Sequence, residues 1–311
     1  MRNVNSFADL PVCRNLSALS ADIAIIGIPH GTSYRQGEPS HSSNAPEAIR
    51  RAARRYGDMI DHYDFDLGGP LLNNSGVRVV DCGDLPGNPS DPAGNRRVIT
   101  EKARVILDAG AVPIVLGGDD SIPISFFRAY KGLGVFTVVQ VDAHIDWRHE
   151  INGITQGPSS TMRRVSEMAW IDRLIQVGMR GVGSARMEEV AAAKAYGAEI
   201  ITAKEVHDGG VDQVLALVPD GAACLLTIDC DGLDPSIMPG VNAPVPGGLT
   251  YRQVIDLVHG LTKKVCLKGF DLVELMPKND VNGIAALTAV RIIFNLIGSL
   301  VRSKYFVKRT D

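Results

Sequence analysis

Short apolar, β-branched runs alternate with amphipathic stretches along almost the whole chain, and this alternation restricts the possible folds more than any other feature. The runs are 23–28, 77–81, 112–116, 136–141, 174–177, 199–202, 224–229 and 265–272. Several are apolar at nearly every position, as a strand buried on both faces must be. Between them, 96–109, 185–196 and 251–261 carry a helical period. Strand–helix alternation predicts an α/β fold with a parallel sheet covered by helices on both faces. No low-complexity linker and no repeat interrupts the pattern, so residues 1–311 read as one domain.

Composition narrows the function classes. The 311 residues are 45% hydrophobic and 22% charged, with a net charge of −3. A nucleic-acid partner would need a clustered basic face. The densest basic run, Arg50-Arg51-Ala52-Ala53-Arg54-Arg55, falls in a helical stretch and reads as a solvated face. The N-terminus lacks a positive-then-apolar signal pattern. The longest apolar stretch, 284–301, contains Arg291, Asn295 and Ser299. An arginine at the centre argues against a membrane span, so a buried C-terminal helix is expected there. Cys13, Cys82, Cys224, Cys230 and Cys266 form no Cys-x-x-Cys pair and read as reduced thiols of a cytoplasmic protein.

Functional groups in open α/β sheets gather beyond the carboxyl ends of the strands. Four strand ends here deliver such groups: Gly117-Gly118-Asp119-Asp120-Ser121, Asp142-Ala143-His144-Ile145-Asp146, Asp229-Cys230-Asp231-Gly232-Leu233-Asp234-Pro235, and Glu274. Asp142, His144 and Asp146 stand at i, i+2 and i+4, which in extended chain points them to one side. Asp229 and Asp231 repeat the spacing. So many carboxylates at close range would protonate one another unless cations compensate them. Two divalent ions roughly 3.5–4 Å apart would do so and would activate a water. Oxygen-rich ligation with one imidazole suits Mn²⁺ better than Zn²⁺. The competing reading is that each cluster is a turn or helix cap, where Asp is common.

Several of these segments together resemble the arginase/agmatinase (ureohydrolase) family. Asp142-Ala143-His144-Ile145-Asp146 looks like its Asp-Ala-His-x-Asp signature. The segment from Asp229 to Pro235, with Pro239-Gly240 and Pro244-Val245-Pro246-Gly247-Gly248, is similar to its third signature. Gly117-Gly118-Asp119-Asp120-Ser121 resembles the first, Gly-Gly-Asp-His-Ser. Gly27-Ile28-Pro29 and Ala45-Pro46-Glu47-Ala48-Ile49-Arg50 also fit. The likeness spans nearly the whole chain and leans to agmatinases over arginases.

The resemblance implies a three-layer α/β/α sandwich with a mainly parallel eight-stranded sheet. It implies two Mn²⁺ per chain, held by Asp120, Asp142, His144, Asp146, Asp229 and Asp231. Asp142 and Asp229 would bridge the ions, Asp146 would complete one, and His144 with Asp231 the other. Glu274 would hold the substrate guanidinium; the alternative for it is a surface salt bridge. The catalytic residues implied are Asp146 and Glu274. The substrate would be agmatine or another guanidino compound, and the assembly a homo-trimer or homo-hexamer, or a heteromer with a paralogue.

Two positions depart from the family pattern. Asp120 stands in place of the first signature's histidine, where it either supplies an oxygen in the same place or costs one metal. Gln156 stands where the family carries a histidine thought to move protons to the leaving amine, and an amide cannot titrate. His149, water or Asp146 would have to replace it. These departures keep open a non-catalytic subunit of the same fold. A single-zinc deacetylase is disfavoured, because one metal does not need both acidic clusters.

Overall fold

The computed structural model describes residues 6–35, 37–183 and 185–306. Residues 1–5 and 307–311, part of the expected 1–311 unit, lie outside the described residues. The strands are β1 (Ile23–Gly27), β2 (Val79–Asp84), β3 (Val112–Leu116), β4 (Phe136–Val141), β5 (Ile171–Met179), β6 (Glu199–Thr202), β7 (Ala223–Asp229) and β8 (Cys266–Val273). They form one sheet in the order β2-β1-β3-β8-β7-β4-β5-β6. Every pairing is parallel. The helices are α1 (Ala45–Ala53), α2 (Pro92–Asp108), α3 (Ile122–Arg128), α4 (Thr161–Ser166), α5 (Met187–Tyr196), α6 (Ala203–Gly209), α7 (Asp212–Leu217), α8 (Tyr251–Lys264) and α9 (Ile284–Leu300).

The three layers follow from the two-residue period of the strands. Ile23 and Ile25 of β1, with Val139 and Val141 of β4, pack into a core shared with α1, α8 and α9. Ala24 and Ile26, with Phe136 and Val138, pack into a second core shared with α2 and α3. Side chains alternate across the pleat, so a strand covered on both faces must be apolar throughout.

All eight expected strands are present, with shifted ends. The second begins at Val79 rather than residue 77, and the fifth extends to Ile171–Met179. Helix α2 starts four residues earlier than its apolar period suggested. Asp91 accepts the N–H of Gly94 at 2.8 Å, and Pro92 occupies the first turn, where a missing N–H costs nothing. The 284–301 stretch is the buried α9, and Arg291 pairs there with Asp64 and Asp66 at 2.8 and 2.7 Å.

The basic run needs a correction. Arg51, Arg54 and Arg55 are exposed, but Arg50 is buried. Its guanidinium donates to both oxygens of Asp81, at 2.7 and 2.9 Å, and to Asp84. A bidentate pair of this kind is strong and directional. It ties α1 to β2 and so fixes one end of the loop joining β1 to α1. Cys82, Cys224 and Cys230 are buried and Cys13 and Cys266 half-buried, all as free thiols.

Candidate metal centre

The sheet order sets β3, β8, β7 and β4 side by side, and each of these central strands ends in a candidate group. Parallel strands open on the same edge. Asp119, Asp120, His144, Asp146, Asp229, Asp231 and Glu274 accordingly line a single cavity of about 830 Å³. Asp142 has no exposed surface and joins them from within.

The local geometry differs from the extended chain expected after β4. That strand ends at Val141, the chain bends at Ala143 and His144, and Asp146 takes a φ of 45°. A bend, rather than strand alternation, gathers Asp142, His144 and Asp146. Asp229 caps the turn Cys230–Gly232 and accepts the N–H of Asp231 at 2.8 Å. It therefore serves as a cap and as a member of the cluster at once. Glu274 also has a left-handed backbone, with φ 63°. Non-glycine residues in this region cost free energy and collect at functional sites.

Two sets of three donor groups lie with their atoms within 4.8 Å of one another: Asp142, His144 and Asp231, and Asp120, Asp142 and Asp229. Asp142 is common to both. His144 Nδ1 lies 3.2 Å from Asp231 and 3.5 Å from Asp142. Neither buried oxygen of Asp120 meets a hydrogen-bond donor. Burial, then mutual repulsion, pushes the carboxyls of Asp120, Asp142 and Asp229 well above their ordinary range. Burial also raises Asp146. Burial works against the charge of Asp231 as well, but hydrogen bonding to His144 holds its pKa below the ordinary value. Stranded buried carboxylates around shared space fit divalent cations, which supply the missing positive charge. Asp120 lies in one of the sets, with no donor to either of its oxygens.

Asp146 lies outside both sets. Its Oδ2 accepts from Gln140 Nε2 at 3.1 Å, and the same nitrogen donates to Asp142 at 2.7 Å. Glu274 Oε1 accepts the backbone N–H of Asp120 at 2.9 Å, and Oε2 lies 2.5 Å from His41 Nε2. Burial raises the Glu274 pKa, and His41 offsets part of that rise. This is a lined cavity wall, not a surface salt bridge.

Sequence reading missed His41, a lone histidine in a polar loop without a motif. Its one signal is position: the loop leaves the carboxyl end of β1, at the same edge of the sheet. Gln156 turns its amide oxygen to Arg128 Nη1 at 2.8 Å. Neither Gln156 nor His149 lines the cavity.

The arginase family model matches residues 21–298. The chain belongs to the arginase family. It is 33% identical over 256 residues to the N(1)-aminopropylagmatine ureohydrolase of Thermus thermophilus, covering 81% of this chain and 82% of that protein. It is 30% identical to the guanidinobutyrase of Pseudomonas aeruginosa, covering 93% and 89%. The structure of proclavaminate amidinohydrolase from Streptomyces clavuligerus matches with a TM-score of 0.82 and 27% identity, over 96% of this chain and 97% of that one. Family members are metal-dependent amidinohydrolases, and this chain is one of them. Its relatives take different guanidino compounds at similar identity, so membership does not select the substrate tail. Among the described residues no helix is long and apolar enough to cross a membrane.

Proposed function

We propose that this amidinohydrolase cleaves agmatine to urea and putrescine, with two Mn²⁺ ions in the donor sets that share Asp142. The observation that carries the reading is the unpartnered, buried carboxylate of Asp120 beside Asp142 and Asp229. Such a group either stays protonated or is held charged by a cation against it, and several together around one space favour the cation. Four carboxylates and one imidazole in these sets, with the carboxylate of Asp146 beside them, favour Mn²⁺ over softer-ligand metals. Bound there, the ions lower the pKa of a water and neutralise developing negative charge.

The chain's own residues do the rest. Glu274 accepts N–H groups of the guanidinium and orients its carbon toward the donor sets. Asp146, held by Gln140, accepts a hydrogen bond from the attacking water and steers it. Cavity walls rich in carboxylates favour a cationic substrate. Urea release measured across guanidino compounds after Mn²⁺ loading is the test. Agmatine should show the highest kcat/KM, and no urea from any guanidino compound would overturn the assignment.

Arg35 supports a second reading. It stands on the cavity rim, 80% exposed and 3.5 Å from Glu38, and could pair with the carboxylate of a guanidino acid. If a guanidino acid is preferred, Arg35→Ala should raise its KM about tenfold. With agmatine, the same change should leave KM unaltered or lower it.

A further inference from the structure

The cavity holds two imidazoles among its described lining residues, His41 and His144. His144 is committed through Nδ1 to Asp231 and Asp142. Tyr34 lines the cavity too, but its oxygen accepts the N–H of Ser159, and burial pushes its phenol pKa upward, away from useful acidity. The side chain at the family's proton-transfer position, Gln156, is bound to Arg128 outside the cavity. His41 is left. Its side chain is 30% exposed, so one part of the ring meets solvent while Nε2 meets Glu274.

Burial opposes charge on His41, but the hydrogen bond and negative charge of Glu274, with Asp119 beyond it, outweigh burial and raise its pKa. The groups facing it are therefore Glu274 after β8 and Asp119 after β3. On its own loop, Arg35 and Glu38 pair with each other.

Glu274 Oε2 has a second lone pair free for a guanidinium N–H. Two donors on one carboxylate oxygen, each at hydrogen-bond distance, stand roughly 4–5 Å apart. A guanidinium nitrogen held by Glu274 thus lies within a side-chain rotation of His41 Nε2. Resting on the guanidino-hydrolase reading above, we propose that His41 is the catalytic acid that protonates the leaving amine, in place of the histidine missing at Gln156. As the carbon–nitrogen bond breaks, its electron pair stays on nitrogen, which takes the proton from Nε2. The carbon keeps the oxygen of the attacking water, passes that oxygen's remaining proton to the freed amine, and leaves as urea. Neutral His41 regains from solvent a proton equal to the one that water gave up. Guanidinium and water become urea and an alkylammonium ion, with protons balanced.

The test uses Mn²⁺-loaded protein and the guanidino compound that wild type cleaves best. His41→Asn and His41→Gln should each lower kcat about 10²-fold or more, the range for loss of a general acid. KM should change by less than about threefold, and metal content should stay as in wild type. Added imidazole should restore part of the kcat of His41→Asn. The loss should shrink at least tenfold with an aryl guanidine, whose weakly basic amine leaves without prior protonation. Wild-type turnover with undiminished kcat in both variants overturns the role of His41 alone. A loss equal for alkyl and aryl leaving groups, with no imidazole rescue, also overturns it. No urea from wild type with any guanidino compound overturns the underlying reading and the proposal together.

Discussion

Gln176 donates its side-chain amide to Gln140 Oε1 at 2.6 Å, across the registered positions of β5 and β4. A second bond, to the carbonyl of Ile145 at 2.9 Å, holds Gln176 in place. Both glutamines are buried within the sheet. The carboxylates of Asp142 and Asp146 require Gln140 to present its NH₂, so its oxygen must face Gln176. Two strand-borne amides thus set the orientation of two candidate site carboxylates.

Removing that support should loosen the metals without unfolding the protein. Outer hydrogen-bond partners of ligands typically contribute 10–100-fold in metal affinity. We expect Gln140→Leu to weaken Mn²⁺ binding by about that factor, measured by competition with a chelator. An unchanged affinity would show that Asp142 and Asp146 hold their places without the glutamine.

Glu274→Gln should separate substrate binding from metal binding. Glu274 belongs to neither donor set, so two equivalents of metal should remain. The amide keeps an oxygen for the N–H of Asp120 but loses the charge that pairs with a guanidinium. KM should rise at least about tenfold, or turnover should vanish, in steady-state urea assays. Normal kinetics would remove Glu274 from the substrate site.

Asp271 yields a stability test away from the metals. Its carboxyl is fully buried in β8. Oδ1 accepts the hydroxyl of Thr227 at 2.6 Å, and Oδ2 has no partner. Burial pushes its pKa up to about 8. The folded state therefore keeps this acid neutral while the unfolded chain ionises it near its ordinary value of 3.8. Rising pH favours the unfolded state from about pH 4 until about pH 8, at up to about 1.4 kcal/mol per pH unit, and not beyond. Asp271→Asn, which does not titrate, should be more stable than wild type at pH 8, with the gap closing toward pH 4. Denaturant melts at several pH values measure it, and a gap independent of pH would rule the explanation out.

The sheet was readable because its strands are buried on both faces, and continuous apolar runs such as 112–116 and 136–141 leave few other folds. The clusters around Asp142 and Asp229 were readable because strand ends leave a local mark in sequence. Their geometry was not: the bend at His144 and the left-handed Asp146 depend on packing around the site. Arg50 looked solvated because its partners Asp81 and Asp84 lie on β2, far along the chain from α1. His41 was invisible because its contact with Glu274 spans most of the chain and no motif surrounds it.

Asp120 is the least expected member of the cluster, and its removal decides how many metals the protein holds. Its two oxygens meet no N–H donor and face only other carboxyls, Asp146 among them, whereas His144 and Asp231 already support each other. Loss of Asp120 should therefore strike one ion. We expect Asp120→Ala to keep one tight Mn²⁺ equivalent and to bind the second at least about 10²-fold more weakly. Asp120→His places a nitrogen about as far from the backbone as the aspartate oxygen and should restore the second equivalent. It also removes one negative charge from a set of five aspartates, Asp120, Asp142, Asp146, Asp229 and Asp231, that faces the four positive charges of two divalent ions. Metal titrations followed by elemental analysis distinguish the cases. Two tight equivalents in Asp120→Ala would show that Asp120 is not a ligand. Wild type saturating near one equivalent would end the two-ion reading.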